Sequence, residues 1–586
     1  MLTPGCQPGV TKRWLGPDFL SLATLHKLLI PLEPTRSRIV RRVLPALFVA
    51  VLAPAVALTQ GPPQPSGFIV ENSVLRRIWA IETDSSAVPH LAQVLFDSLG
   101  PRLTASPGMT AAQNWLVATY TAWGIPVRKE QYGTWRSWRR AKTHLDLVAP
   151  RTRTLEATML AWSPPTPRAR PVRAPVVIPP DVADSSAFVA WLPQAKGKFV
   201  LISFPQPTCR PDDSWEKWAT QTTADSLKAR RTVAQQTWQQ RVQRTGYSGT
   251  GVNGAAALSR RLEEAGAAGI IGSFWSQGWG VQKIFAAQTD RAPVIDVACE
   301  DYGLLFRLAD NKQAPVIELT AESQALGEVP VFNVVAEMKG AQLPDEYVML
   351  SAHFDSWDGG SGATDNGTGT ITMLEAMRIL KQVYPNPRRT ILVGHWSGEE
   401  QGLNGSRGFV QDHSEILAGL QALFNQDNGT GRIENMSASG FPDAAANLAR
   451  YLARVPADIT RNIKFGFPGA PSGGGTDHSS FVSCGAPGFN LGSGDWDYGR
   501  YTWHTNRDTY DKISFDDVKT NATLAAMLVY LASEDTTHVS RVKRDVFQAR
   551  PNGQAGAWPD CQQPQRATPP LAPAPPPPPA PAPRTP

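Results

Sequence analysis

Cysteine is scarce in this 586-residue chain, with five in all, and no two of them stand at the Cys-x-x-Cys spacing of a zinc knuckle or a redox pair. That spacing excludes a thiolate metal cluster or thiol exchange as the main chemistry. Long apolar runs are missing too. The most apolar stretch, Val43–Leu58, falls short of the roughly 20 residues a membrane helix needs and is broken by Pro45 and Pro54, so no stable membrane span is expected. The formal charge is +6, but the basic residues are scattered, with short clusters only at Arg36–Arg42 and Arg136–Lys142. A solvated surface accounts for them, and no nucleic-acid partner is expected. No internal repeat is apparent.

What is present is a chain long enough for roughly two to four domains. Near its start, "RSRIVRRVLPALFVAVLAPAVALTQ" sets arginines before an apolar run and then Ala55-Val56-Ala57. This is the anatomy of a secretory signal cleaved after about Ala57, so residues 1–60 are assigned to a signal and an upstream extension, and the mature protein to a secreted or periplasmic location. Cleavage would remove Cys6 and leave Cys209, Cys299, Cys484 and Cys561. Disulfides in an oxidising compartment and buried thiols both stay open. Residues 66–150 form the first part of the main domain, where "AAQNWLVATYTAWGI" has helical periodicity and stops at Gly124 and Pro126. Residues 151–330 are an insert with strand runs at Gly197–Phe204 and Ala292–Ala298, and a helix capped by Gly266. Within the insert, a polar helical excursion covers about 212–243. The main domain resumes over 331–545. From 562 to 586 the proline-rich composition predicts a disordered tail.

The informative part begins at Glu346. "EYVMLSAHFDS", "RTILVGHWSGEE" and "GLQALFNQDNGTG" are each an apolar run ending in polar residues and glycine, with helical stretches between them. Such alternation predicts an α/β fold, a mixed and mostly parallel sheet flanked by helices. Ligands of such sheets bind beyond the carboxyl ends of the strands. Those ends deliver His353, Asp355, Asp365, Glu399, Glu400 and Asp427, and a later loop adds His504. Imidazole and carboxylate without thiolate suit zinc, and the number of donors exceeds one tetrahedral ion. A pair of ions needs a carboxylate that spans both, and Asp365, folded back by its neighbouring glycines, is the natural bridge. Asp355 is expected to hold the imidazole of His353. Of the adjacent glutamates, read as extended backbone with opposed side chains, one would coordinate. The other would move a proton between water and the leaving amine. Position alone leaves open which does which.

The motifs "HFDSWD", "GATDNGTG", "SGEEQGLNGSRGF", "FNQDNGTG", "GGGTDHSSF" and "WHTNRDTYD" occur in this order. They resemble the co-catalytic zinc exopeptidases of the aminopeptidase and glutamate carboxypeptidase type, and most closely the carboxypeptidase Q branch. The resemblance implies two zinc ions per chain, one on His353 and Asp427, the other on Glu400 and His504, with Asp365 shared and Glu399 as the general base. It implies an exopeptidase acting on short peptides or dipeptides, with a homodimer left open, and a β-rich protease-associated domain as the insert. Relatives with a tyrosine before the last ligand histidine use its hydroxyl. Here Trp503 stands in that position, and Tyr501 and His478 are the substitutes considered. Arg500 and Arg507 are the arginines considered for a substrate carboxylate.

Blander readings cover the other histidines: His90, His144, His395, His413 and His538 are expected to be structural. At "GGGTDHSSF", Thr476-Asp477 is weighed as a helix cap. Two other functions are carried as alternatives, an inactive receptor-like protein on the same architecture and a metal-dependent amidohydrolase or cyclase.

Overall fold

The computed structural model describes residues 72–247, 251–544 and 556–571; the proposed signal lies outside them. The strands of the main domain that position the site are β1 (Val127–Ala149), β2 (Val316–Met338), β3 (Leu343–His353), β4 (Arg389–Trp396), β5 (Leu420–Asn425) and β6 (Gly488–Ser493), with Ile433–Ser437 and Lys464–Gly466 extending the sheet beyond β6. β6, β5, β3 and β4 lie side by side and parallel, with Trp396 opposite His353 and Asn425 opposite Ser351. β2 closes this set antiparallel to β4. The sheet is mixed and mostly parallel, in agreement with the alternating pattern.

Parallel strands covered on both faces must be apolar throughout, and side chains along each strand alternate between two cores. Val348 and Leu350 of β3, Ile391 and Val393 of β4, and Ala422 and Phe424 of β5 point to one core. It is shared with helices α1 (Thr368–Val383) and α4 (Phe515–Glu534). Met349, Leu392 and Leu423 point to the other, against Phe409 of α2 (Asn404–Asp412) and Phe481 of α3 (His478–Ser483). Full burial of each such side chain contributes about 1.5–3 kcal/mol, which fixes the register and therefore where the strand ends fall. The helix Pro107–Ala122 begins at Ser106, whose Oγ accepts from the Met109 amide at 3.1 Å, and ends at Gly124 with φ +65°.

β1 and β2 pair antiparallel over nearly their whole length. The resulting two-stranded ribbon leaves the main sheet, and the residues between its far ends build a second core around Phe199, Ile270, Ile295 and Leu319. Residue 330, the expected end of the insert, lies within β2. Within the insert, the strands Phe199–Leu201, Gly269–Gly272 and Val294–Val297 are short and parallel to one another, with Val172–Val177 beside the first and Ala157–Met159 antiparallel to the last. Parallel neighbours require crossovers, and helices such as Gly251–Glu264 supply them, with Asp212–Trp218 and Gln221–Arg244 adding further helix. Two disulfides, Cys209–Cys299 and Cys484–Cys561, resolve the cysteine question.

The disordered tail expected from 562 needs correction for residues 562–571. Arg566 pairs with Asp412 at 2.7 Å, its carbonyl accepts from the Thr134 amide at 2.8 Å, and Thr568 Oγ1 accepts from the Arg136 amide at 2.6 Å. The segment covers the outer edge of β1. Residues 572–586 lie outside the described residues.

Candidate metal centre

Because β3, β4 and β5 run in parallel, their carboxyl ends open at one place. His353 ends β3, Glu399 and Glu400 follow β4, and Asp427 follows β5. Asp365 sits on the turn Ala363–Gly367 that leads into α1, and His504 on the loop before α4. The structure brings these residues into two clusters, His353–Asp365–Asp427 and Asp365–Glu400–His504, the donor atoms of each lying within 4.8 Å of one another. Nε2 of His353 lies 3.0 Å from Asp427 Oδ1 and 3.4 Å from Asp365 Oδ1. Nε2 of His504 lies 3.0 Å from Glu400 Oε2 and 3.2 Å from Asp365 Oδ2. The two oxygens of Asp365 are thus divided between the two clusters.

The donor set suits metal ions on its own terms. Glu400 Oε1 is buried without a hydrogen-bond partner, and Asp365 Oδ2 makes no hydrogen bond. His353 Nδ1 lies 3.0 Å from the Asp355 carbonyl; a proton donated there leaves the Nε2 lone pair facing the carboxylates. Burial would lower the His353 pKa, but Asp427 foremost raises it well above the usual range. At His504 burial again lowers and Glu400 and Asp365 raise, to about 10. Burial raises Glu400 to about 7 against the pull of His504. The crowded carboxylates thus favour positive charge at this place.

Several expectations need correction. The Asp355 side chain is not the main support of His353, since its Oδ1 is 3.6 Å from Nδ1 and the backbone carbonyl is closer. Its carboxylate instead accepts from the amides of Glu399 and Glu400, both at 3.3 Å, and from Thr104 Oγ1 at 2.9 Å. It therefore fixes the turn that carries the two glutamates. That turn is not extended backbone: the Leu403 amide returns to the Glu399 carbonyl at 2.9 Å. Asp358 pairs with Arg140 at 2.7 Å. The Asp477 side chain does not cap α3; both its oxygens are buried without a hydrogen-bond partner.

A cleft of about 530 Å³ opens onto the clusters, lined among others by Glu399, Arg407, Tyr498 and Trp503. Tyr501 lines a different cavity, with Trp279 and Trp496, and His478 is buried in α3. Of the considered substitutes neither faces the cleft, while the half-buried Tyr498 does. Arg500 is paired with Asp213 and Asp497, and Arg507 with Glu156. The histidines read as structural lie apart from the clusters. Among them His395 is buried against the Tyr120 hydroxyl at 2.8 Å, and burial lowers its pKa to about 3.

Two supporting residues escaped the sequence. The carboxylate of Asp508 accepts from the amides of Thr364 and Asp365 at 2.7 and 3.0 Å, and Arg102, fully buried, donates to the carbonyls of Phe354, Gly100, Ser361 and Gly362. Asp508 stood inside a quoted motif; nothing in the sequence marks Arg102. The insert also reaches the site. The Ile284 amide donates to the His504 carbonyl at 2.7 Å, and the Phe285 ring packs edge-on to His504 at 5.2 Å. These contacts hold His504 at φ +57°, a strained conformation for a residue with a side chain.

Imidazole and carboxylate donors gathered at the carboxyl edge of a mixed α/β sheet form a site suited to zinc. The model of Peptidase family M28 matches residues 333–529 of this chain. The chain is 25% identical to mouse carboxypeptidase Q over 446 residues, which cover 75% of this chain and 84% of the mouse protein. It is 26% identical to the bovine carboxypeptidase Q over 301 residues, 49% of this chain and 62% of that one; the chain thus spans under two thirds of the bovine protein. Among solved structures, a peptidase M28 precursor from Shewanella amazonensis superposes with a TM-score of 0.59 at 23% identity, covering 80% of this chain and 97% of that one. The fold is therefore shared.

Proposed function

We propose that this chain is an exported exopeptidase that holds two zinc ions and hydrolyses short peptides. The observation that carries the reading is the division of the Asp365 carboxylate between two donor clusters, one completed by His353 and Asp427, the other by Glu400 and His504. When bound, a pair of zinc ions supplies Lewis acidity that polarises a scissile carbonyl and acidifies water.

The protein's own residues do the rest. Asp355 and Thr104 set the Glu399–Glu400 turn, which directs Glu400 to His504 and leaves Glu399 in the cleft wall. Glu399 takes a proton from the attacking water and returns it to the nitrogen that leaves, so the C–N bond breaks to a neutral amine. Tyr498 lines the same cleft and offers a hydroxyl toward the developing oxyanion. The two disulfides support export, since such bonds persist in oxidising compartments.

Zinc content and turnover of a short-peptide panel, measured on one sample, test the reading. Wild type is expected to retain two ions per chain and to lose activity with a chelator. Glu399→Ala should retain both ions and lose about 10²–10⁴ in kcat. A fully active Glu399→Ala, or a wild type that binds one ion, overturns the assignment.

A further inference from the structure

Among the described residues, Arg407 is a cation of the cleft that has no ion-pair partner. Arg407 lies one turn into α2, the helix that starts directly after the Glu399–Glu400 turn, and its side chain lines the cleft with Glu399, Glu400, Asp427 and His504. It is half-buried, and its Nε is buried without a hydrogen-bond partner. Among the described residues no carboxylate forms an ion pair with it. Asp477 and Glu399 are the acids whose charge it feels, and neither reaches it. The arginines first considered for a substrate, Arg500 and Arg507, are spent on Asp213, Asp497 and Glu156.

A guanidinium partly removed from water and left unpaired is costly, and its planar fork matches a carboxylate in two parallel hydrogen bonds. Its place beside Glu399 limits which carboxylate fits. Glu399 delivers the proton to the leaving nitrogen, and in a peptide cut at its last bond that nitrogen is two bonds from the terminal carboxylate. A cation that recognises the terminal carboxylate must therefore stand near the proton donor, and Arg407 lines the same cleft as Glu399.

We propose that Arg407 binds the α-carboxylate of the substrate's C-terminal residue, so that the site releases single amino acids from the carboxyl end of short peptides. This rests on the exopeptidase reading above. Water adds to the last peptide carbonyl, the C–N bond breaks, Glu399 passes the proton to the departing amine, and the products are a shortened peptide and one free amino acid.

The test uses the full zinc-loaded protein and pairs of tripeptides with a free amino terminus, identical except for a C-terminal carboxylate or carboxamide, with products identified by mass. Wild type should release the C-terminal residue and prefer the carboxylate form by about 10- to 100-fold in kcat/KM, mostly through KM. Arg407→Met should collapse that ratio toward one, and Arg407→Lys should keep part of it, with the zinc content of each variant reporting its integrity. Equal rates for the two forms in wild type, release from the amino end, or an unaltered ratio in both variants would overturn the proposal, and the wild-type comparison needs no variant to fold. Hydrolysis of neither peptide by a two-zinc protein would instead sink the exopeptidase reading, and this inference with it.

Discussion

Glu82 belongs to the helix Ser73–Ser85, far in sequence from the metal clusters, and both its oxygens are buried without a hydrogen-bond partner. Burial, with Glu375 nearby adding to it and Ser86 opposing, lifts its pKa from 4.5 to about 8. A carboxyl whose folded pKa is raised binds a proton in the folded chain that the unfolded chain has released. Its contribution is therefore most favourable below about pH 4.5 and declines as pH rises toward 8. Glu82→Gln should remove that decline. We expect the variant to gain on the order of 2 kcal/mol at pH 8 and nothing at pH 4, measured as the difference in thermal midpoint across that range. A gain independent of pH would assign the effect to packing. At this scale the sequence was legible where chemistry restricts the choice: a histidine and aspartates among glycines have few uses besides metal binding. It was not legible for Asp355, because whether the carboxylate or the carbonyl of one residue meets an imidazole depends on a turn that only the folded chain defines.

At the scale of elements, the strands that deliver the ligands were readable because a parallel strand buried on both faces leaves a continuous apolar run, and its end is marked by the first polar residues. The segment after β3 was not, since it has no regular hydrogen bonds of its own and takes its shape from Arg102. Four backbone carbonyls, those of Gly100, Phe354, Ser361 and Gly362, accept from that guanidinium. Burial lowers its pKa to about 10, opposed by Asp508 and other acids of the site, so it stays charged at neutral pH. Arg102→Met would fill much of the space and leave those carbonyls unpaired in the interior. The expected cost is about 3–5 kcal/mol. Because Asp365 follows the gripped segment by three residues, both metal clusters should weaken together. Denaturant unfolding measures the first effect, and zinc titration against a competing chelator the second. A destabilised variant that still binds two ions with wild-type affinity would show that Asp508, through the Thr364 and Asp365 amides, suffices to place the bridge.

Over the whole molecule, the β1–β2 ribbon ties the insert to the main sheet, and the segment 556–571 runs back from Cys561 to cover the ribbon's open edge. Composition could not reveal this, because a proline-rich segment has no pattern of its own and its order comes from what it meets. Thr134 and Arg136 are two apart on β1, so their amides face the same edge, and they donate to the Arg566 carbonyl and to Thr568 Oγ1. An uncovered strand edge would leave those donors to solvent or to another chain. Gly133 immediately precedes Thr134, and a β-carbon there would stand 2.3 Å from the Arg566 carbonyl oxygen, a contact that only movement of the backbone can relieve. Gly133→Val should therefore lift the segment from the edge while suiting the strand itself, since valine favours extended backbone. The loss of two hydrogen bonds and the Arg566–Asp412 pair predicts a destabilisation of about 2 kcal/mol. The decisive measurement is amide hydrogen exchange at Thr134 and Arg136. Both should exchange faster in the variant, while amides of β1 that face β2, such as those paired with residues 317–321, keep their protection. Protection of Thr134 and Arg136 at the wild-type level would mean that the segment does not cover this edge in solution.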